Sequence, residues 1–275
     1  MGLRSRYRDG SFQAVWSAGI NHVQRTGVDR VRNRMSLENL PEGSSPTESP
    51  LGNAVPAFAA KLPTRTRLIG RYVQLVPLNP ASQAPALFDG VQGHDELWTY
   101  LFDGPYPDLT SFRTRLEAMA MAGDPLFLTI IDSLSGRPAG YASYMRIEPT
   151  HRVIEVGSIL FLPALQRTRG ATEAMFLMAK HAFDDLHYRR YEWKCNALNA
   201  PSRRAALRLG FTLEGIFRQH MIIKGRNRDT AWYSMTDNEW PSRKTAFEKW
   251  LDPANFDSSG RQLQSLAALR SQCGK

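Results

Sequence analysis

Cysteine is nearly missing: the 275 residues hold two, Cys195 and Cys273. Two cysteines this far apart make no disulfide framework, which points to a reducing, cytoplasmic setting. Neither sits in a CxxC pair or at a Cys/His spacing of the zinc-ligand kind, so no metal is expected. Long apolar runs are missing as well. The best of them, Ile159 to Leu165, is interrupted by Pro163 and falls far short of a bilayer span, so no membrane partner is expected. No apolar segment of the secretory kind stands near the start. Arg6 occupies the place where myristoylation needs Ser or Thr. GxGxxG and GxxxxGK[ST] are both absent, which leaves dinucleotide and P-loop readings without a motif.

Acidic residues are in deficit, 26 against 35 Lys and Arg, for a net charge of +9. An excess of this size suggests nucleic acid, but its distribution argues otherwise. Residues 1–34 carry seven Arg against Asp9 and Asp29 and so hold +5 of the total. Nucleic acid is therefore not expected as the partner of the folded part. The basic stretch reads as an organellar presequence, a basic arm, or an extension upstream of Met35. Hydrophobic content of 42% and charged content of 22% are those of a soluble globular protein.

Three regions follow from texture. Residues 1–60 combine the basic extension with the Pro/Ser-rich linker PEGSSPTESPLGNAVP (41–56), and are expected to be disordered. Residues 61–252 alternate between strand and helix patterns and form the domain. Residues 253–275 read as a polar C-terminal tail. Within the domain, Arg71 to Val76 alternates as a strand, and Ala81 to Leu101 reads as two helical pieces broken at Gly90 and Gly93. Thr110 to Ala122 is a helix stopped by Gly123-Asp124-Pro125. Leu126–Ile131, Pro138–Ile147 and Val153–Leu162 form an antiparallel meander. Thr172 to Leu186 is a long amphipathic helix with Ala174, Leu177, Met178, Ala182 and Phe183 on one side. Strand Arg190–Ala197, helix Ser202–Leu209 with Gly210 as C-cap, strands Thr212–Ile223 and Asp229–Met235, and helix Arg243–Leu251 complete an α+β sandwich.

Residues 155–183, EVGSILFLPALQRTRGATEAMFLMAKHAF, carry the chemistry. A strand runs into a turn holding Gly170 and then into a helix N-terminus. Free main-chain N–H groups and the positive end of the helix dipole converge there, as a pyrophosphate requires. Simpler roles stand beside this one. Gly170 also suits a plain turn, Asn199 the N-cap of the short helix, and Ser202 a surface position in its first turn. Glu155, in an otherwise apolar strand, is either an acid with a perturbed pKa or an edge-facing solvated carboxylate. Cys195 reads as a small core residue. Trp98, Tyr100, Phe102 and Tyr106 suit either a groove or packing.

Two blocks of sequence resemble the GNAT acetyltransferases, in the branch similar to ribosomal-protein-alanine acetyltransferases. Gln166-Arg167-Thr168-Arg169-Gly170-Ala171 resembles the family's pyrophosphate loop Q/R-x-x-G-x-G/A, and Thr172-Glu173-Ala174 completes the "ATEA" helix opening. The first glycine of that loop is replaced by Arg169, Gly170 takes the variable place, and Ala171 ends the motif. The second block runs from Asn199 through Ser202 to Leu209-Gly210-Phe211 and Glu214-Gly215, and resembles the signature N-x-x-S…LGF-x-x-EG. Arg228-Asp229 matches a downstream RD. The match covers about residues 65–240.

The resemblance implies a GNAT-like mixed, mostly antiparallel sheet flanked by helices, and an acetyl-CoA-dependent N-acetyltransferase acting on a primary amine through a ternary complex. It implies acetyl-CoA as cosubstrate, with Ile159, Leu160, Phe161, Gln166, Arg167, Arg169, Gly170, Ala171, Thr172, Asn199 and Ser202 holding it. Glu155 is the expected general base, and Ser202 the group that protonates the departing thiolate. The acceptor is a small amine or a protein N-terminus. A non-catalytic acyl-CoA-binding protein on the same fold is the alternative.

Overall fold

The computed structural model describes residues 51–273, so the basic extension and most of the Pro/Ser-rich linker lie outside the described residues. The chain divides between Val55 and Pro56, and every element below belongs to the second unit. In order these are β1 (Leu68–Ile69), β2 (Val73–Pro77), α1 (Pro80–Val91), α2 (Leu109–Met121), β3 (Leu126–Asp132), β4 (Pro138–Glu148), β5 (Val153–Phe161), α3 (Arg169–Lys180), β6 (Arg190–Asn196), α4 (Ala200–Leu209), β7 (Thr212–Ile223), β8 (Arg226–Thr236), α5 (Trp240–Leu251) and α6 (Leu266–Cys273). The strands form one sheet in the order β1-β2-β3-β4-β5-β6-β8-β7.

Local chemistry explains the boundaries. The β3–β4 hairpin turns where the Asp132 carboxylate accepts from the Ser135 amide and hydroxyl. The β7–β8 hairpin turns on Lys224 and Gly225, both at positive φ, as a two-residue turn matched to strand twist requires. Asn79, Asp108, Thr168 and Asn199 cap α1, α2, α3 and α4.

The sheet is covered on both faces. Ile154 and Val156 of β5, Tyr191 of β6 and Tyr233 of β8 join the larger core with Met178 of α3 and Phe247 of α5. On the other face α1 and α2 bury Leu87, Phe112 and Leu116 against Phe127, Tyr141 and Leu160. Trp98 lies edge-on to both Tyr106 and Phe112 in this second core, contacts worth about 0.5–1.5 kcal/mol each. Packing, rather than a groove, is thus the role of Trp98 and Tyr106. α1 and α2 pack this face at β3, β4 and β5, while over β6 and β8 it carries polar and charged side chains, Lys194 and Arg228 among them.

A single carboxylate ties the sheet's first hairpin to α3. Glu173 is buried and accepts from the amides of Arg71, Tyr72 and Val73 at 2.8, 2.6 and 2.9 Å. Gly70 leaves room for it, because a Cβ there would run into the Glu173 carboxyl group.

Several expected boundaries shift. Helix α3 begins at Arg169 rather than Thr172, because Thr168 caps it by accepting from the Ala171 amide. It ends at Lys180 and continues as one π-helical turn over His181–Asp185. Gly90 does not break α1: it lies inside the helix, where Leu162 fills the space a side chain would need. Helix α4 starts at Ala200 and α5 at Trp240, each with proline in its first turn. The polar C-terminal segment is no bare tail. After a short 3₁₀ turn over Pro253–Asn255 it forms α6, which buries Leu266 and Leu269 in the larger core. Among the described residues no helix is long and apolar enough to cross a membrane.

Candidate active site

The sheet opens at its centre. β5 and β6 are its one parallel pair among the described residues, and they stay paired only from Val153↔Arg190 to Val156↔Trp193. Beyond that point β5 remains hydrogen-bonded to β4, as in Tyr141↔Leu160 and Gly140↔Phe161, while β6 continues along β8. The edge of β5 over Ile159, Leu160 and Phe161 that faces away from β4 therefore lacks a strand partner. A bulge marks the fork: Ser158 sits at φ 47° and the β4–β5 register shifts beside it. The bulge exchanges the faces of the strand. Before it Ile154 and Val156 point toward α3; after it Ile159 and Phe161 do, and Leu160 turns to the α1/α2 side.

The loop after β5 delivers the N-terminus of α3 to this open edge. Gln166 donates through Nε2 to the Phe161 carbonyl at 3.0 Å and so ties the loop to the strand end. Among the described residues, the amides of Arg167, Arg169 and Gly170 take no acceptor, whereas that of Ala171 is used by Thr168. Arg167 has φ 62°. Three free N–H groups at a helix start suit an anionic pyrophosphate, and an unpaired strand edge suits an extended pantetheine arm. Side chains of the loop are engaged elsewhere. The Arg169 guanidinium stacks over Phe256 and Tyr72, and the Thr172 hydroxyl, buried, accepts from Arg208 at 3.0 Å.

Gly170 owes its identity to packing rather than to a turn. It is helical and buried, and a Cβ there would lie 2.8 Å from Val73 Cγ1 and 3.3 Å from Leu165 Cδ1. Gly170→Val is thus expected to push α3 off β2, with a stability loss of about 1–3 kcal/mol from overpacking. A thermal melt checks this, and an unchanged midpoint would show that α3 has slack against β2.

A buried ionic chain crosses the α1/α2 face of the sheet at the closed end of the fork. Glu155 is 4% exposed, and its carboxylate lies 3.0 Å from Lys194 Nζ and 2.9 Å from Arg146 Nε. Lys194 Nζ also reaches Glu192 at 2.6 Å and lies 3.7 Å from the Trp232 ring centroid. Glu192 continues to Arg190, and Arg190 to Glu214. Burial pushes the Glu155 carboxyl above its ordinary value, and the two cations pull it part of the way back. One oxygen, Oε2, meets both cations without a well-aligned hydrogen bond.

Residues of the second sequence block stand on the opposite face. Asn199 caps α4 by accepting from the Ser202 amide at 3.0 Å. Ser202 Oγ accepts from Trp193 Nε1 at 3.0 Å, leaving its own O–H to donate. Trp193 is the last β6 residue paired to β5, and Glu155 immediately precedes its partner Val156. Ser202 and Glu155 therefore flank the fork from its two faces. Cys195 is buried in the core, which raises its thiol pKa.

Lys194, Arg146, Trp232 and Arg228 share the Glu155 face of the sheet. Alternation along β6 places Glu192 and Lys194 together, and alternation along β8 does the same for Arg228, Thr230, Trp232 and Ser234, so strand period was the available signal. Arg146 could not be found this way, because it sits at φ 49° in a β4 irregularity. Burial lowers the Arg228 guanidinium from its ordinary value. A surface hollow lined by His151, Val153, Arg190 and Asp237 lies at the far ends of β5 and β6, away from the fork.

The family model for the acetyltransferase (GNAT) domain matches residues 73–212. A GCN5-related N-acetyltransferase from Brucella melitensis is 47% identical, with a TM-score of 0.77, 78% of this chain covered and 98% of that one. The ribosomal-protein-serine acetyltransferase of Escherichia coli (strain K12) is 30% identical over 96 residues, or 34% of this chain; the chain spans about half, 52%, of that curated relative. A ribosomal L7/L12 alpha-N-protein acetyltransferase in complex with coenzyme A shares the fold, at 21% identity and a TM-score of 0.54, with 62% of this chain and 98% of that one covered. A matching domain model and a relative nearly half identical over almost its whole length place this protein in the GNAT acetyltransferase family.

Proposed function

We propose that this protein transfers the acetyl group of acetyl-CoA to a primary amine by direct attack within a ternary complex. The observation that carries this reading is the fork between β5 and β6, with a buried carboxylate on one face and a serine hydroxyl on the other. The pantetheine arm would lie along Ile159 to Phe161, and the pyrophosphate on the amides of Arg167, Arg169 and Gly170.

The amine, arriving from the Glu155 side of the fork, loses a proton toward Glu155 and attacks the thioester carbonyl. Main-chain N–H groups around the Ser158 bulge would receive the developing oxyanion. As the carbon–sulfur bond breaks, the Ser202 hydroxyl gives its proton to the thiolate. Asn199, by fixing the first turn of α4, holds that serine in place.

Calorimetric titration with acetyl-CoA, followed by a screen of primary amines monitored for free CoA, tests the reading. Binding together with amine-dependent CoA release is expected. Binding with no release for any amine would instead leave a non-catalytic acyl-CoA-binding protein on this fold.

A further inference from the structure

Arg228 takes no part in the chemistry above, yet it is 7% exposed. Its Nε donates to Thr230 Oγ1 at 3.2 Å, and among the described residues its Nη atoms have no acceptor and no carboxylate within 4.0 Å. Burying a guanidinium without a counter-ion is unfavourable unless something else supplies the anion. Alternation along β6 and β8 puts Arg228 on the same sheet face as Lys194 and Trp232. Its guanidinium lies 5.1 Å from the ring centroid of Phe102, an exposed residue. That side of the site is fixed in place: Lys224 Nζ donates to the Trp98 and Asp103 carbonyls at 2.8 Å each.

The balance of charge on this face narrows the acceptor. Arg146, Lys194 and Arg228 stand against Glu155 and Glu192, while Arg190 is held by both Glu192 and Glu214. A polycationic amine would meet more positive than negative charge beside the fork. An amine that carries its own anion would complete it.

We infer that the acceptor bears a carboxylate close to its amine, and that Arg228 receives this carboxylate while the amine reaches the Glu155 side of the fork. A planar guanidinium with both Nη atoms free matches a carboxylate through two parallel hydrogen bonds. This inference rests on the acetyl-transfer reading. Two sources supply the same chemistry, a free acidic amino acid and a peptide with an acidic residue at or next to its N-terminus.

The test compares matched acceptors on the full chain: free Glu against the amide of Gln, which carries no carboxylate, C-terminally amidated short peptides with Asp against Asn at the second position, and spermidine as the polycation. Free CoA is followed for turnover, and acetyl-CoA affinity is measured by calorimetry. The carboxylate members are expected to exceed their amides by about 10–100-fold in kcat/KM, the worth of a charge-assisted hydrogen bond of about 1.5–3 kcal/mol. Whether Glu or the Asp peptide gains more identifies the source. Arg228→Gln should erase the discrimination, mainly through KM, and Arg228→Lys should keep part of it, with acetyl-CoA affinity retained in both. Equal rates for acid and amide in the wild type, a preference for spermidine, or discrimination that survives Arg228→Gln would overturn the inference while leaving acetyl transfer standing. Silence with every amine in a protein that binds acetyl-CoA would remove the transfer reading itself, and this inference with it.

Discussion

Glu155→Gln is expected to lower turnover by about 10²–10⁴-fold, the range of a positioned acid–base group. The fold should survive the change, because Lys194 keeps Glu192 at 2.6 Å as its partner. Acetyl-CoA affinity should survive too, since the carboxylate is on the α1/α2 side of the sheet and not beside the α3 amides. Burial raises the Glu155 pKa, so wild-type activity should fall on acidification earlier than for a solvated carboxylate, as protonation removes the base. In the Gln variant that acidic limb should vanish, and the deficit should shrink as rising pH deprotonates the amine in solution. Ser202→Ala should behave otherwise, with a modest loss and no such rescue, because a thiolate leaves tolerably well unaided. Matched pH–rate profiles decide it: wild-type turnover in Glu155→Gln across the range would reduce Glu155 to a structural member of the ionic chain.

Glu173→Ala is expected to be the most damaging single change to stability, at about 3–5 kcal/mol. Three main-chain donors lose their acceptor at once, that of Val73 buried and those of Arg71 and Tyr72 partly so, and an unsatisfied donor costs about 1–3 kcal/mol where it is fully buried. For a unit of this size that is a fall of roughly 6–20 °C in melting temperature. Acetyl-CoA affinity should fall with it, because the pinned β1–β2 turn backs the helix whose N-terminus would hold the pyrophosphate. A melting midpoint within a degree or two of wild type would mean that water replaces the carboxylate at little cost.

The element order was legible because its signals are local. Period-two alternation, Asp132–Gly136 and Lys224-Gly225 at the hairpins, and Asn199 and Gly210 at the two ends of α4 fix the type of each element within a few residues. What stayed hidden depends on distant neighbours. Gly90 reads as a helix breaker until Leu162 is seen to occupy its place, and Gly170 as a turn glycine until Val73 is. The bulge at Ser158 inverts the faces of β5, and the sign of it in the sequence is the adjacent Gly157, which strand alternation ignores, so alternation alone misassigns Ile159 and Phe161. Glu155 was singled out from its strand, but its partners come from β4 and β6, and sheet pairing rather than sequence distance brings them together. α6 escaped because only Leu266 and Leu269 of its eight residues are buried, too thin a stripe to read in a polar segment.

That last helix bears on how the protein should be handled. Arg270 donates to the carbonyls of Leu207 and Arg208, the last turn of α4, as a C-terminal cap borrowed from elsewhere in the chain. The other end of α4 carries Ser202. A chain trimmed at Asp252 would lose that grip and disturb the serine from behind. Affinity handles therefore belong ahead of Pro56, and an inactive preparation shortened at its C-terminus says nothing against the chemistry at the fork.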